Sequence, residues 1–302
     1  MPRIAFMGAG STVFAKNVLG DCMLAPETGD LDIALHDIDP QRLQDSLAML
    51  RIMARNTDLG GRRCDIAAFA DRREALRGAD YVVNAIQVGG YEPATVADFE
   101  IPKKYGLRQT IGDTLGIGGI FRALRTIPVL EAFARDMEAL CPRALFINYT
   151  NPMAMLSGFM QRYTAIQTVG LCHSVQVCAP GLLSSLGLED RMPGYRWEIA
   201  GINHMAWLLR IEDAAGRDLY PEIKERARAF LAGTREFPGS HAHRDRVRLD
   251  LMLRLGYYIT ESSEHNAEYN PWYIKARYPE LIDRYNIPLD EYPRRCVNQI
   301  EG

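Results

Sequence analysis

The sequence predicts a doubly wound α/β fold, a Rossmann-like parallel sheet followed by a smaller α+β region, and three observations carry that prediction. Short apolar runs alternate with helical patterns through the first third of the chain. A glycine turn, Gly8-Ala9-Gly10-Ser11, joins the first apolar run to a helix. After about Gly194 the texture changes to segments that read as antiparallel strands. Strands alternating with helices imply right-handed crossovers, and hence parallel pairing.

The elements follow in order. RIAFMG is the first strand, a helix runs from about Phe14, LDIALHDID is the second strand, and residues 42–56 form the next helix. A short helix over 72–76 precedes DYVVNAIQV, the fourth strand. The helical stretch 126–140 leads into RALFINYT, and TAIQTVGLC reads as the strand after that. RWEIAGINHMAWLLRIEDAAGRDLY reads as antiparallel strands, with a charged helix over 221–234. The polar segment 237–246 has two histidines and no clear period, so it is expected to be a loop. The expected division is 1–194 for a dinucleotide-binding domain and 195–302 for an α+β substrate and metal domain.

Composition bounds the function. With 302 residues, 47% hydrophobic and 24% charged, the chain can bury one large core or two. The formal charge of −3 leaves no basic surplus to neutralise nucleic-acid phosphates. No apolar run approaches the roughly 18 residues of a membrane span. The first residues enter a strand and a glycine turn directly, without the layout of a secretory leader. The six cysteines are scattered rather than set at framework spacing, so a reduced cytoplasm is expected.

In the glycine turn, Gly8 and Gly10 let the backbone approach a pyrophosphate lying on the N-terminus of the helix that Ser11 and Thr12 open. Val13 stands where the usual fingerprint has its third glycine, so a tight turn without ligand is the competing reading. Asp37 ends the second strand, where a carboxylate accepts hydrogen bonds from both ribose hydroxyls and repels a 2′-phosphate, favouring NAD over NADP. Asp39 is expected to open the following turn. Asn84 and Gln87 stand at the end of the fourth strand, where a cofactor passes.

Three further segments are expected on the same carboxyl edge: NYTNPM from Asn148, GLCHS from Gly170, and GINH from Gly201. Cys172 as thiolate and His204 as neutral imidazole would give a metal two protein ligands and leave positions for substrate oxygens. A buried cysteine and a satisfied core histidine form the plainer reading.

The run VGGYEPATVADFEIPKKYGLRQTIGDTLGIGGIFRALRTIP, with NYTNPM, GLCHSVQ, GINHMAW and GYYITESSEHNAEYNPWY, resembles family 4 of the glycoside hydrolases over nearly the whole chain, its α-galactosidase branch most closely. The resemblance implies redox-assisted cleavage, an exception to the two-carboxylate scheme. Bound NAD⁺ takes hydride from the sugar C3, a tyrosine base removes the C2 proton, the aglycone leaves C1, water adds, and the ketone is reduced again. It further implies a divalent cation such as Mn²⁺ bridging the C2 and C3 oxygens, with Cys172 and His204 as its ligands. Tyr257 and Tyr258 are the candidate bases, Tyr258 preferred. His173, where phosphosugar relatives carry an aspartate, is the candidate leaving-group acid. Asn148 and Asn151 match substrate and cofactor contacts, and Asp113 either binds sugar or caps a helix.

Two departures from the family pattern are informative. No Lys or Arg lies in residues 88–100, where phosphosugar relatives hold a 6-phosphate, so an unphosphorylated galactoside or galacturonide is implied. Family members usually continue well past the final VNQIEG, so a truncated chain, weak in turnover, is expected. A homo-oligomer, dimer or tetramer, is also implied. The rivals are an NAD-dependent hydroxy-acid dehydrogenase, which has no use for a metal-ligand cysteine, and a non-catalytic NAD-binding protein.

Overall fold

The structure is a computed structural model that describes residues 1–237 and 241–301. The chain divides by its contacts into two compact units: Met1–Gly90 with Phe121–Leu171, and Tyr91–Ile120 with Cys172–Gly302.

The first unit holds six parallel strands: β1 (Arg3–Met7), β2 (Leu31–His36), β3 (Cys64–Phe69), β4 (Tyr81–Asn84), β5 (Leu145–Asn148) and β6 (Thr168–Gly170). Their order is β3-β2-β1-β4-β5-β6. Side chains alternate between the faces of such a sheet, and they do so here. Ala5, Met7, Ala34 and Val82 enter one core with Leu130, Met137, Leu156 and Met160. Ile4, Phe6, Ile33, Leu35 and Val83 enter the other with Leu19, Leu47 and Leu50. Burial on both faces explains why these strands read as continuous apolar runs. The helices that cover them are α1 (Thr12–Leu24), α2 (Pro40–Asn56), α3 (Arg72–Leu76), most of a long helix that begins at Gly116, and a helix over Met153–Tyr163. Asp39 caps α2 by accepting from the Gln41 and Arg42 amides, at 2.9 and 3.1 Å, with Pro40 in the first turn.

The Rossmann-like expectation is borne out. Three details differ. β3, CDIAAF, is the strand to which the sequence assigns no segment, its apolar run being diluted by Asp65 and two alanines. β4 stops at Asn84 instead of reaching Val88. The helix expected over 126–140 begins ten residues earlier, at Gly116. Gly118 and Gly119 hide that start from a propensity reading, and they are there for space. A Cβ on Gly118 would lie 2.4 Å from the Gly112 carbonyl oxygen, and one on Gly119 2.5 Å from that of Thr114.

In the second unit, helix α4 (Val96–Lys104) and the first turn of α5 (Gly116–Leu140) precede the later elements; the helix over Met153–Tyr163 is α6. After α7 (Ser174–Ser185), an antiparallel hairpin pairs β7 (Arg196–Ile202) with β8 (Met205–Glu212). Helices α8 (Tyr220–Leu231) and α9 (Arg246–Leu255) follow, then β9 (Tyr258–Ile259) beside β8, α10 (Ser263–Tyr269), α11 (Glu280–Arg284) and α12 (Glu291–Glu301). Leu182, Leu208, Ile211, Ile223, Phe230, Met252 and Tyr258 form its main core. In the segment expected as a loop, residues 238–240 lie outside the described residues. Ala242–Asp245 makes a short 3₁₀ turn and α9 starts at Arg246. No helix among the described residues is long and apolar enough to cross a membrane.

Candidate active site

In the first unit the strand order reverses between β1 and β4, and ligands of open α/β sheets collect at the carboxyl ends of strands at such a point. Gly8 follows β1 with a φ of 84°, and a Cβ there would sit 2.7 Å from the Ala85 carbonyl oxygen. A Cβ on Gly10 would lie 2.8 Å from Asp37 Oδ2. Only glycine fits either place. The Gly10 amide donates to Asp37 Oδ2 at 2.7 Å and the Asp39 amide to Oδ1 at 2.9 Å, so the carboxylate braces the turn. Ser46 Oγ ties α2 to the same turn through the Ala9 carbonyl. Ser11 is half-buried, Thr12 exposed, and Gln87 exposed beyond β4. Asn84 is fully buried; its Nδ2 donates to Asn148 Oδ1 and Thr150 Oγ1, while its Oδ1 is buried without a partner. A cradle closed to any Cβ and an orphaned amide oxygen fit a dinucleotide.

The second unit gathers a different set. Cys172 follows β6 by two residues. Ser174, in the first turn of α7, turns its amide and hydroxyl toward Sγ, at 3.5 and 3.3 Å. His204 occupies the β7–β8 turn with a φ of 63°, a conformation non-glycine residues seldom adopt and one that clusters at functional sites. Gly201 makes that hairpin possible, since a Cβ there would meet Ala206 Cα at 2.5 Å. Cys172, His204 and Glu261 bring one ligand atom each to within 4.8 Å of one another. The Nε2 of His204 lies 3.2 Å from Glu261 Oε2, and its Nδ1 lies 3.0 Å from the Tyr269 hydroxyl. Burial lowers the pKa of His204, which keeps the ring neutral, the form a metal requires. One thiol, one imidazole and one carboxylate suit a divalent transition ion. Beside them both amide atoms of Asn203 are buried without a hydrogen-bond partner.

Helix α10 surrounds this cluster with three more groups that sequence reasoning missed. His265 stacks edge-on to His204, with ring centroids 4.9 Å apart. Its Nδ1 meets Ser262 Oγ at 2.9 Å, and its Nε2 faces Asp113 Oδ1 at 3.8 Å. Burial opposes charge on His265, but Asp113, Glu261 and Glu268 outweigh it and raise its pKa. Glu268 accepts three backbone amides in a row, Thr110, Ile111 and Gly112, at 2.7, 3.2 and 2.8 Å. That grip fixes the loop carrying Asp113, whose Oδ1 also accepts from Thr114 Oγ1. Tyr269 is half-buried, and the desolvation of its phenol, followed by the negative field of Asp113, pushes its pKa well up. The signal was available: Glu261, His265 and Tyr269 recur every fourth residue, the last two on one face of α10.

Other expected residues stand elsewhere. Tyr258, the preferred base, is corrected. It is wholly buried, its hydroxyl donates to Asp245 Oδ2 at 2.5 Å, and the Arg248 guanidinium covers its ring at 4.6 Å. Burial holds its proton on, so its role is to pack and to satisfy Asp245. Tyr257 lies edge-on to Tyr220 in a surface groove with Arg210 and Lys224, a lining that includes neither Cys172 nor His204. Asn148 is also corrected: it is fully buried, and both ends of its amide are bonded to Asn84, Thr150 and Ser157, leaving nothing for a sugar hydroxyl. Asn151 offers its carbonyl to Arg122 Nε at 3.1 Å. His173 is exposed and begins α7.

The chain is similar to known proteins over its whole length. The chain is 59% identical over 302 residues to an alpha-galactosidase of Bacillus subtilis (strain 168), covering 100% of this chain and 67% of that one. The crystal structure of Bacillus subtilis lplD matches with a TM-score of 0.82 at 26% identity, covering 100% and 69%. The 6-phospho-beta glucosidase of Thermotoga maritima, solved with manganese, NAD+ and glucose-6-phosphate, shares the fold with a TM-score of 0.70 at 20% identity, covering 100% and 65%. The chain thus spans about two thirds of the length of these proteins. Residues 3–188 match the model of the family 4 glycosyl hydrolases and residues 199–301 that of the same family's C-terminal domain, so the chain belongs to glycosyl hydrolase family 4.

Proposed function

We propose that the chain carries the chemistry of an α-galactosidase that works with NAD⁺ and a divalent cation such as Mn²⁺. The observation that carries this reading is the approach of Cys172 Sγ, His204 Nε2 and Glu261 to one point, with the Tyr269 hydroxyl on the far nitrogen of the same imidazole. The 59%-identical relative supports the galactoside. The glycine cradle and the sulfur–nitrogen pair support the two cofactors.

When bound, NAD⁺ accepts and later returns a hydride at the sugar C3, and the cation draws electron density from the neighbouring sugar oxygens. Cys172 and His204 would hold that cation, while Gly8, Gly10 and Asp37 would hold the dinucleotide. Tyr269 replaces Tyr257 and Tyr258 as the group that takes the C2 proton. With Nε2 of His204 committed to the cation, Nδ1 carries the proton and donates to the Tyr269 oxygen, stabilising the phenolate that the step requires. Asp113, fixed by the Glu268 grip on its loop and paired with His265, is the acceptor for sugar hydroxyls. The absence of Lys and Arg from residues 88–100 supports a sugar without a 6-phosphate.

The test is p-nitrophenol release from p-nitrophenyl α-galactoside in the presence of NAD⁺, MnCl₂ and a thiol reductant, each omitted in turn. Release is expected to need all three and to accumulate no NADH. Net NADH formed from a hydroxy acid would indicate a dehydrogenase instead, NAD⁺ binding without any release would indicate a non-catalytic protein, and faster cleavage of the galacturonide or the 6-phosphate would reassign the sugar.

A further inference from the structure

We propose that Glu261 is a third protein ligand of the divalent cation, so that the chain itself supplies one sulfur, one nitrogen and one oxygen donor. This rests on the reading that Cys172 and His204 hold the cation, and extends it.

Distance is the first argument. Metal–nitrogen and metal–oxygen bonds are roughly 2.0–2.2 Å long, so two such ligands on one ion, at angles between right and tetrahedral, lie about 2.9–3.5 Å apart. Glu261 Oε2 and His204 Nε2 are 3.2 Å apart. The sulfur of Cys172 comes within 4.8 Å of a ligand atom of each.

Orientation is the second. Tyr269 engages Nδ1 of His204, so the nitrogen turned toward Glu261 is the one left to coordinate. Glu261 is held by its other oxygen: Oε1 accepts the Ser262 amide at 2.8 Å and faces His265 Nδ1 at 3.6 Å. One carboxylate oxygen is anchored to the start of α10 and the other is presented to the imidazole and the thiol.

Charge is the third. A metal-bound cysteine is a thiolate, and with the largely buried Glu261 carboxylate it brings two negative charges to one point. A doubly charged ion cancels the two negative charges. Three protein donors leave positions for two sugar oxygens and a water, as a catalytic site requires.

The test is calorimetric titration of MnCl₂ into the metal-free protein under reductant, for the unmodified chain and for Cys172→Ser, His204→Asn, Glu261→Gln and Glu261→Asp, with NAD⁺ affinity measured on each as a check of folding. Glu261→Gln is expected to weaken Mn²⁺ at least tenfold, with NAD⁺ affinity changed less than twofold. Glu261→Asp, which keeps the charge, is expected to fall between. A second readout is Co²⁺, whose visible absorption bands report the donor set: Glu261→Gln should alter their position and intensity while the sulfur-to-cobalt band from Cys172 persists. If Cys172→Ser and His204→Asn lose Mn²⁺ but Glu261→Gln binds it normally with unchanged Co²⁺ bands, the third ligand is overturned and the two-ligand site stands. If Cys172→Ser and His204→Asn bind Mn²⁺ as the unmodified chain does, the metal reading itself fails.

Discussion

The Nδ1 atom of His204 lies 3.0 Å from the hydroxyl of Tyr269, and this one contact joins the imidazole proposed to hold the cation to a half-buried phenol. A tyrosine is a poor base at neutral pH, and burial alone makes it poorer. It acts as a base only where its phenolate is stabilised, which is what a protonated Nδ1 would provide on a ring whose Nε2 holds the proposed cation.

Tyr269→Phe is therefore expected to lower kcat roughly 10²–10⁴-fold, the range of a lost general base, while NAD⁺ affinity stays unchanged. Tyr258→Phe is expected to do the reverse. It leaves Asp245 one donor short in the core, which costs about 1–3 kcal/mol of stability, with kcat per folded molecule nearly intact. Urea unfolding combined with kcat on both variants checks the pair, and equal kcat losses would contradict the assignment.

Asp37→Ala is expected to weaken NAD⁺ binding by roughly 1–3 kcal/mol. The Gly10 and Asp39 amides both donate to this carboxylate, so part of the loss comes from a looser glycine turn. The unmodified chain is expected to prefer NAD⁺ to NADP⁺. Tryptophan fluorescence titration with each nucleotide measures both quantities, and tighter binding of NADP⁺ would refute the role of Asp37.

How much of this was legible in the sequence depends on how local each feature is. β1, β2 and α2 announce themselves through apolar period and the Asp39-Pro40 start. β3 did not, because Asp65 and two alanines break up the apolar run of CDIAAF. The place of residues 91–120 could not be read: they fold with the C-terminal part, and that association is a matter of distant contacts rather than pattern. Within the site, the resemblance pointed to Cys172 and His204. The burial of Tyr258 could not be read because it depends on Asp245, in a segment that reads as loop, and on Arg248 of α9.

Glu268→Gln is expected to loosen the loop 110–112. A carboxylate offers acceptors to all three amides, whereas the amide end of glutamine presents hydrogens to at least one of them. One buried N–H left unpaired costs about 1–3 kcal/mol. The expected result is a lower urea midpoint and faster hydrogen exchange at Thr110, Ile111 and Gly112, read by mass spectrometry of that peptide; unchanged exchange there would refute the grip.

The two cysteines of GLCHSVQVC should behave differently, and Cys178 allows a test of pH dependence with a defined sign. Cys178 is 2% exposed, and burial pushes its thiol up to about 12 from an ordinary value of 9.0. At pH 8 its thiolate is then populated on the order of 10⁻⁴, so iodoacetamide should modify half-buried Cys172 first and leave Cys178 unmodified until the chain unfolds. The raised folded value also sets a linkage. Between pH 9 and 12 the folded chain keeps a proton that the unfolded chain has lost, so ∂ΔG/∂pH is negative and stability falls across that window. Below pH 9 both states are protonated and the contribution is constant. Burial raises Tyr220 and Tyr258 as well, which steepens the fall above about pH 10. Cys178→Ala removes one titrating group, so its stability should decline less steeply from pH 9 to 12, by up to about 1.4 kcal/mol per pH unit, although it starts lower at pH 7 because of the cavity it leaves. Urea midpoints at half-unit steps from pH 7 to 12 measure both curves. Parallel curves would mean that the Cys178 thiol titrates as an exposed one does.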